Sequence, residues 1–310
     1  MFRYTVKRAL QAVVTLWAVS VVGFFLTRLT GDPLQVLLGP ESTPDDVARV
    51  SRAWGLDRPL VTQYLVYLGN LFTRGGGESL KWTGSSAGSL LVSRLPATLE
   101  LAGAAIVVCL VVALPLGVLT AVRRGTLLDR TAMGSTLLGQ SMPTFWLGIM
   151  LMWLFSVELG WLPTSGIGDW THLVLPAVTM GLFPVAALTR LLRSSMLEVL
   201  DTEYVKLARI KGLSETLVIW KHCLRNAALA PVTYFGLILA SLVSGSVVAE
   251  TVFAWPGVGL LSIEAVQARD FPVVQTVVMF FALVYVVMTF VIDLLYGVID
   301  PRIRAVGGRS

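Results

Sequence analysis

Six long apolar runs constrain this chain more than any other feature. They lie near residues 9–29, 98–122, 132–157, 173–192, 231–252 and 273–299. A hydrocarbon core about 30 Å thick takes roughly 20 apolar residues to cross as a helix. Each run is long enough. Helices are the economical solution because every backbone polar group in lipid must find its partner within the segment. Composition agrees: 55% of the 310 residues are hydrophobic and 14% are charged, against about 25% charged in a soluble domain. The expected fold class is an all-α polytopic membrane protein with six transmembrane helices. The first run follows Arg3, Lys7 and Arg8, but it is too long for a signal-peptide core and no small-residue cleavage site follows it. It is read as a retained helix.

The positive charges set the direction. Three precede the first run (Arg3, Lys7, Arg8) and three follow the second (Arg123, Arg124, Arg130). Seven follow the fourth (Arg190, Arg193, Lys206, Arg209, Lys211, Lys221, Arg225) and three follow the sixth (Arg302, Arg304, Arg309). These sixteen of the 24 Lys and Arg residues share one side if the N-terminus is cytoplasmic. Both termini are therefore expected on the cytoplasmic side of the membrane. The basic pI of about 9.4 is a topology signal. Split among four segments, it is no nucleic-acid footprint.

The remaining segments divide the chain into a first helix (1–30), an extracytoplasmic loop region (31–97) and a core of five helices (98–310). In the outer region, TPDDVARVSRAWG reads as a short amphipathic helix capped by Thr43 or Asp45 and ended by Gly55. QYLVYLGNLF reads as a second helix, and the Gly- and Ser-rich stretch from Arg74 to Gly88 as a mobile loop. Glu100 is expected in the first turn of the second span, where the helix dipole favours a carboxylate. Asp293 is expected to pair with a basic residue at the inner surface.

Catalytic signatures are missing. The sequence holds no GxxxxGK[ST], HExxH or GxSxG, and His172 and His222 lack metal-ligand spacing. The span interiors carry too few ionisable groups for an obvious proton relay. They carry Pro115, Pro143 and Pro184, each of which removes a backbone hydrogen bond and bends its helix. The fifth run contains SLVSGSVV; Ser241, Ser244, Gly245 and Ser246 suit either close helix packing or a polar path. Met142 and Pro143 join them as candidates for a translocation path. Such a path needs an energy source that this chain does not supply.

The inner segment 201–228 interrupts the apolar pattern. Asp201 or Thr202 can cap a helix from Glu203 to Lys211, Gly212 can end it, and Ser214 can cap a second helix to about Asn226. Tyr204, Val205, Leu207, Ala208 and Ile210 are apolar while Lys206, Arg209 and Lys211 are basic. The helix suits an anionic lipid surface or a groove in a partner protein. A glycine corner followed by a second helix favours the partner.

LARIKGLSE followed by HCLRNAALAP resembles the cytoplasmic loop of ABC importer permeases, in particular the dipeptide, oligopeptide and nickel branch. The likeness continues through WGLDRPLVTQY, RLPATLEL, SMPTFWLG, GWLPTSG, LPAVTMG, ETVFAWPGVG, ARDFPVVQ and IDPRIR, in family order. Lys206 and Leu207 stand where the general loop pattern has Glu and Ala, a variation of the peptide branch. TRGGGESLKWTGS replaces the expected acidic glycine motif. The resemblance implies a type I importer permease fold. It also implies a second homologous permease, two ATP-binding subunits that hold ATP and Mg, and an extracytoplasmic substrate-binding protein. This chain would hold no cofactor and catalyse nothing. Glu203, Tyr204, Val205, Ala208, Arg209, Lys211, Gly212 and Leu213 would couple it to an ATPase. The cargo would be a di- or oligopeptide, with nickel or another small solute as the alternative and a gradient-driven carrier as a distant one. A reporter fused after Arg304 is expected to report from the cytoplasm; an external signal would overturn the orientation.

Overall fold

A computed structural model describes the backbone at residues 2–29, 38 and 43–299. The expectations placed on the IDPRIR segment beyond Ile299 and on the side chain of Asp293 lie outside the described residues. Among the described residues, thirteen α-helical elements follow one another: α1 (Phe2–Leu29), α2 (Pro44–Trp54), α3 (Leu60–Thr73), α4 (Ala87–Val122), α5 (Leu127–Ser141), α6 (Thr144–Met152), α7 (Trp170–Leu200), α8 (Glu203–Ile210), α9 (Glu215–Leu217), α10 (Leu224–Ala227), α11 (Leu229–Val252), α12 (Val258–Gln267) and α13 (Phe271–Ile299). π-helical turns follow α6 (Trp153–Glu158) and α9 (Val218–Cys223).

Four described helices are long and apolar enough to cross a membrane: Thr5–Arg28, Ala87–Val122, Trp170–Leu200 and Phe271–Ile292. Two bent pairs bring the number to six if each is one span. Leu127–Ser141 meets Thr144–Glu158 at 102°, and Glu215–Ala227 meets Leu229–Ser244 at 51°. The first bend falls inside the third apolar run, where Pro143 is expected to bend the helix. Pro143 sits at the break, as the residue before α6, because it has no N–H to donate to the preceding turn. Pro176 and Pro184 both lie inside α7.

The helix α4 begins eleven residues earlier than its apolar run. Glu100 is therefore well inside the helix and exposed, not in a first turn. The dipole argument for it fails.

Chain contacts divide the molecule into two compact units. One comprises residues 1–99 and 256–290; the other comprises 100–255 and 291–310. In the first unit, Ala87 and Leu91 of α4 pack against Val258, Leu261 and Ala265 of α12 and Val273 and Val277 of α13. The buried Thr98 hydroxyl accepts the Val258 N–H at 2.8 Å, satisfying one of the orphan donors at the start of α12. Phe24 of α1 is buried against Tyr64 and Tyr67 of α3, at 5.3 and 5.8 Å between ring centroids.

The stretch from Arg74 to Gly88 is tied down rather than free. Asp270, 0% exposed, is the tie. Its Oδ1 accepts the Val273 N–H in the first turn of α13 at 3.3 Å. Its Oδ2 accepts from the Ser79 hydroxyl and from the N–H groups of Leu80 and Lys81, both at 3.0 Å. One carboxylate thus caps a helix and clamps a loop. Gly76 belongs to the same clamp. Its φ of +85° is left-handed, and a Cβ there would lie 2.0 Å from the Thr276 Oγ1.

In the second unit, α7 is the spine. Asp169 caps it, with Oδ1 accepting the Thr171 N–H at 3.0 Å. Hydrogen bonds to Thr171 and His172 hold this exposed carboxyl below its usual pKa. Gly181 lets α7 approach α4 closely: a Cβ there would lie 2.5 Å from the Ala105 carbonyl oxygen. Arg193 reaches α5 in a two-pronged pair with Asp129, Nε to Oδ1 and Nη2 to Oδ2, each 2.9 Å. Asp129 also accepts the Gly125 N–H at 2.9 Å and is buried.

Two expected outcomes follow. Asp270→Ala should destabilise the protein by about 3 kcal/mol, since it removes a cap and leaves the Ser79 hydroxyl and two loop N–H groups without their acceptor. Its melting point in detergent should fall, and trypsin should begin to cut at Lys81. A variant with unchanged melting and unchanged cutting would refute the clamp. Arg193→Ala, which strands Asp129 in the interior, should cost about 3 kcal/mol or more. The Asp129→Asn, Arg193→Met double variant should recover part of that loss in the same melting assay.

Candidate functional site: the inner helix corner

The inner segment starts where α7 ends. Thr202 occupies the N-cap position of α8 with extended backbone, but its hydroxyl makes no cap. It donates instead to the Val199 carbonyl at 2.5 Å. Ser214 likewise stands before α9 without a side-chain cap bond. The expected positions are therefore right and the expected capping bonds are absent.

Gly212 does close α8. Its φ is +77°, its N–H donates to the Arg209 carbonyl at 2.9 Å, and the Leu213 N–H reaches the Ala208 carbonyl at 3.3 Å. This double bond pattern around one left-handed residue is the Schellman stop. A Cβ at Gly212 would meet nothing within 4 Å, so the backbone conformation, not crowding, selects glycine there. Arg209 bridges the corner to Glu215, Nε to Oε2 at 3.1 Å and Nη2 to Oε1 at 2.6 Å. Lys206 pairs with Glu203 at 2.8 Å. The hydrogen bonds to Glu203 and Glu215 raise the pKa of Lys206 and Arg209 respectively.

The eight residues expected to couple divide into two sets. Val205 and Ala208 are buried. They join Val118 and Ala121 of α4, Leu192 and Met196 of α7, and Val218, Ile219 and Cys223 of the π turn in one apolar core. Full burial of Val205 stabilises by about 2 kcal/mol. These two residues anchor the helix. Glu203, Tyr204, Arg209, Lys211, Gly212 and Leu213 remain accessible. Tyr204 also holds the two arms together: its hydroxyl accepts from Asn226 Nδ2 at 2.8 Å and reaches the His222 carbonyl at 3.4 Å.

The sequence reading left Leu207 and Ile210 out of the coupling set. They are 54% and 79% exposed. With Tyr204 they stand at three-residue spacing, so each neighbours the next on the helix surface, and Leu213 follows beyond the glycine stop. Leu217 and Trp220 are exposed as well and line an open groove with Ser214, Thr216 and Lys221. A contiguous exposed apolar patch rimmed by charge is the mark of a protein interface.

The proposed path residues are less convergent. Ser241, Ser244 and Ser246 donate to carbonyls of their own helix, those of Ile238, Ser241 and Val243. Ser246 is buried, whereas Ser241, Met142 and Pro143 are exposed. Gly245 lies in the same helix, α11.

The comparisons with known proteins cover nearly the whole chain. Residues 113–305 match the family described as binding-protein-dependent transport system inner membrane component, and residues 1–102 match its N-terminal companion. The chain is 40% identical over 334 residues to the di/tripeptide transport system permease protein DppB of Pseudomonas aeruginosa (strain UCBPP-PA14), covering 98% of this chain and 99% of that one. It is 40% identical over 305 residues to the glutathione transport system permease protein GsiC of Escherichia coli (strain K12), with the same coverage. Among solved structures, an inward-facing MetNI methionine ABC transporter aligns with a TM-score of 0.57 at 23% identity, covering 68% of this chain and 97% of that one. That likeness concerns the fold, a type I importer permease. Spans, inner corner and family match agree: the chain belongs to the inner-membrane permease components of binding-protein-dependent transport systems.

Proposed function

We propose that this chain is one permease of an ATP-driven importer of di- or oligopeptides. Near-full-length identity to permeases named for di/tripeptides and glutathione carries the reading. A second homologous permease completes the pore. Two ATP-binding subunits, which hold the nucleotide and Mg, sit at the cytoplasmic face, and an extracytoplasmic binding protein delivers the solute and sets most of the specificity. Both termini are cytoplasmic, in keeping with the charge distribution. Met142, Pro143 and the Ser241–Ser246 segment contribute to the path.

The inner corner is the handle. The exposed row from Tyr204 through Leu207 and Ile210 to Leu213 enters a groove of the ATPase. Val205 and Ala208 pass its displacement to α4 and α7 through the shared core. Closure of the ATPases then shifts the balance between inward- and outward-open states, as an energy source must if it acts through differential contacts.

Ile210→Asp should leave the melting point of the purified chain within about 2 °C, since surface changes seldom exceed 0.5 kcal/mol. It should reduce ATPase capture and ATP-dependent uptake of a labelled dipeptide in proteoliposomes at least about tenfold, equivalent to 1.4 kcal/mol of docking. Gly212→Asp should insert normally and abolish uptake. Full uptake by both variants would refute the docking role. Uptake driven by a proton or sodium gradient without ATPase subunits would refute the importer itself. The purified chain alone should hydrolyse no ATP.

A further inference from the structure

The first unit contains a feature that transport coupling does not use. A cavity of about 260 Å³ opens at the end of α1 farthest from the N-terminus. Among the described residues that line it, Arg28, Arg52 and Arg58 stand against a single carboxylate, Glu78. Among the described residues, none of the three guanidinium groups forms an ion pair. Arg28 donates to Gln63 Oε1 at 2.5 Å and lies over the Phe24 ring at 3.6 Å. Arg52 Nε donates to the Ala48 carbonyl at 3.1 Å. A guanidinium has five N–H donors, so each retains several. Like charges gathered around one space repel unless an anion occupies it.

Tyr67 supplies the second observation. It lines the same cavity, is 8% exposed, and its hydroxyl is buried with no hydrogen-bond partner among the described residues. Burial beside Tyr64 pushes its pKa up to about 12, so it remains a neutral donor. A buried hydroxyl without a partner is costly. An oxyanion in the cavity would satisfy it.

The surroundings say where the anion comes from. Helix α3 carries no charged residue at all. Its inner side holds Tyr64 and Tyr67 against α1, yet Val61, Leu65 and Phe72 point outward, Phe72 at 84% exposure. An uncharged helix with such an apolar outer surface lies against protein or in lipid. The outer surface of α1 (Val13, Trp17, Val22 and Leu26) is exposed and apolar too. The basic cavity therefore stands where a lipid-crossing helix ends and beside a second apolar surface, at head-group depth.

We propose that this cavity holds the phosphate group of a membrane phospholipid, with Arg28, Arg52, Arg58 and Tyr67 as donors and α3 resting in the bilayer interface. Arginine suits this role because its planar fork matches phosphate oxygens. The lipid would seat the region between α1 and α4 on the membrane.

The test uses the full chain purified in detergent and titrated with phosphatidylglycerol, with bound lipid counted by native mass spectrometry. Wild type should retain the lipid and melt higher with it. Arg52→Gln, Arg58→Gln should weaken retention at least about tenfold while melting like wild type without lipid. Tyr67→Phe should also weaken retention, yet melt no lower than wild type without lipid, because it removes an unsatisfied hydroxyl. Equal retention by the double variant would overturn the proposal. So would inorganic phosphate displacing the lipid at equal concentration, which marks a free-phosphate site. Binding of an acidic peptide in preference to lipid would reassign the cavity to a protein carboxylate and likewise overturn it.

Discussion

Lipid offers no hydrogen-bond partners, and the placement of nearly every polar group here follows from that. The long helices satisfy their own backbones in the middle and need help only at their ends. Two buried carboxylates are spent there. Asp270 takes a helix N–H and two loop N–H groups. Asp129 takes the Gly125 N–H as well as Arg193. Asp169 does the same work in the open, at the head of α7. Asp270 and Asp129 each tie two distant chain segments together, so the ends of the helices are where much of the tertiary structure is specified. The apolar middles pack by shape, with Gly181 admitting the Ala105 backbone.

The inner corner reverses that arrangement. A short helix of eight residues cannot hold itself in water. It persists because Val205 and Ala208 are in the core of its neighbours and because Gly212 and the Arg209–Glu215 bridge fix where it stops. Its outward row is left apolar and unfilled. Stability comes from one side of the helix and leaves the other side for the docking proposed above, which is why the residues expected to couple separate into buried anchors and exposed positions once burial is known.

Much of this was legible in the sequence, because the signals were one-dimensional. Apolar length gave the spans, and glycines at positions 55 and 212 gave two helix ends; both have positive φ. Other ends were hidden. Ala254 and Arg269 close α11 and α12 in left-handed conformations of 47° and 53° without being glycine, each with the same long backward N–H bond, to Glu250 and to Ala265. Such residues adopt that strain, about 1–2 kcal/mol, only because the surrounding packing imposes it, and no local pattern announces it. The Asp129–Arg193 pair spans 64 positions and the Ser79–Asp270 contact 191. A glycine-rich stretch therefore reads as mobile when its partner carboxylate lies far along the chain. Glu100 misled for the opposite reason. The apolar run gave the thickness of lipid crossed, and α4 extends well past it.

The close contact at Gly181 has a mechanical consequence. Helix α7 has 31 residues, about 46 Å at 1.5 Å per residue, and that crossing point lies near its middle. Met196, seated in the core of the inner corner, is about 22 Å from it on one side, and the Asp169 cap is about 18 Å away on the other. A rod pinned there has lever arms of nearly equal length. A push of a few ångströms at the foot would swing the head by a similar distance in the opposite sense, less whatever bending Pro184 absorbs between fulcrum and foot. Opening on one face and closing on the other then need only a single hinge along one helix.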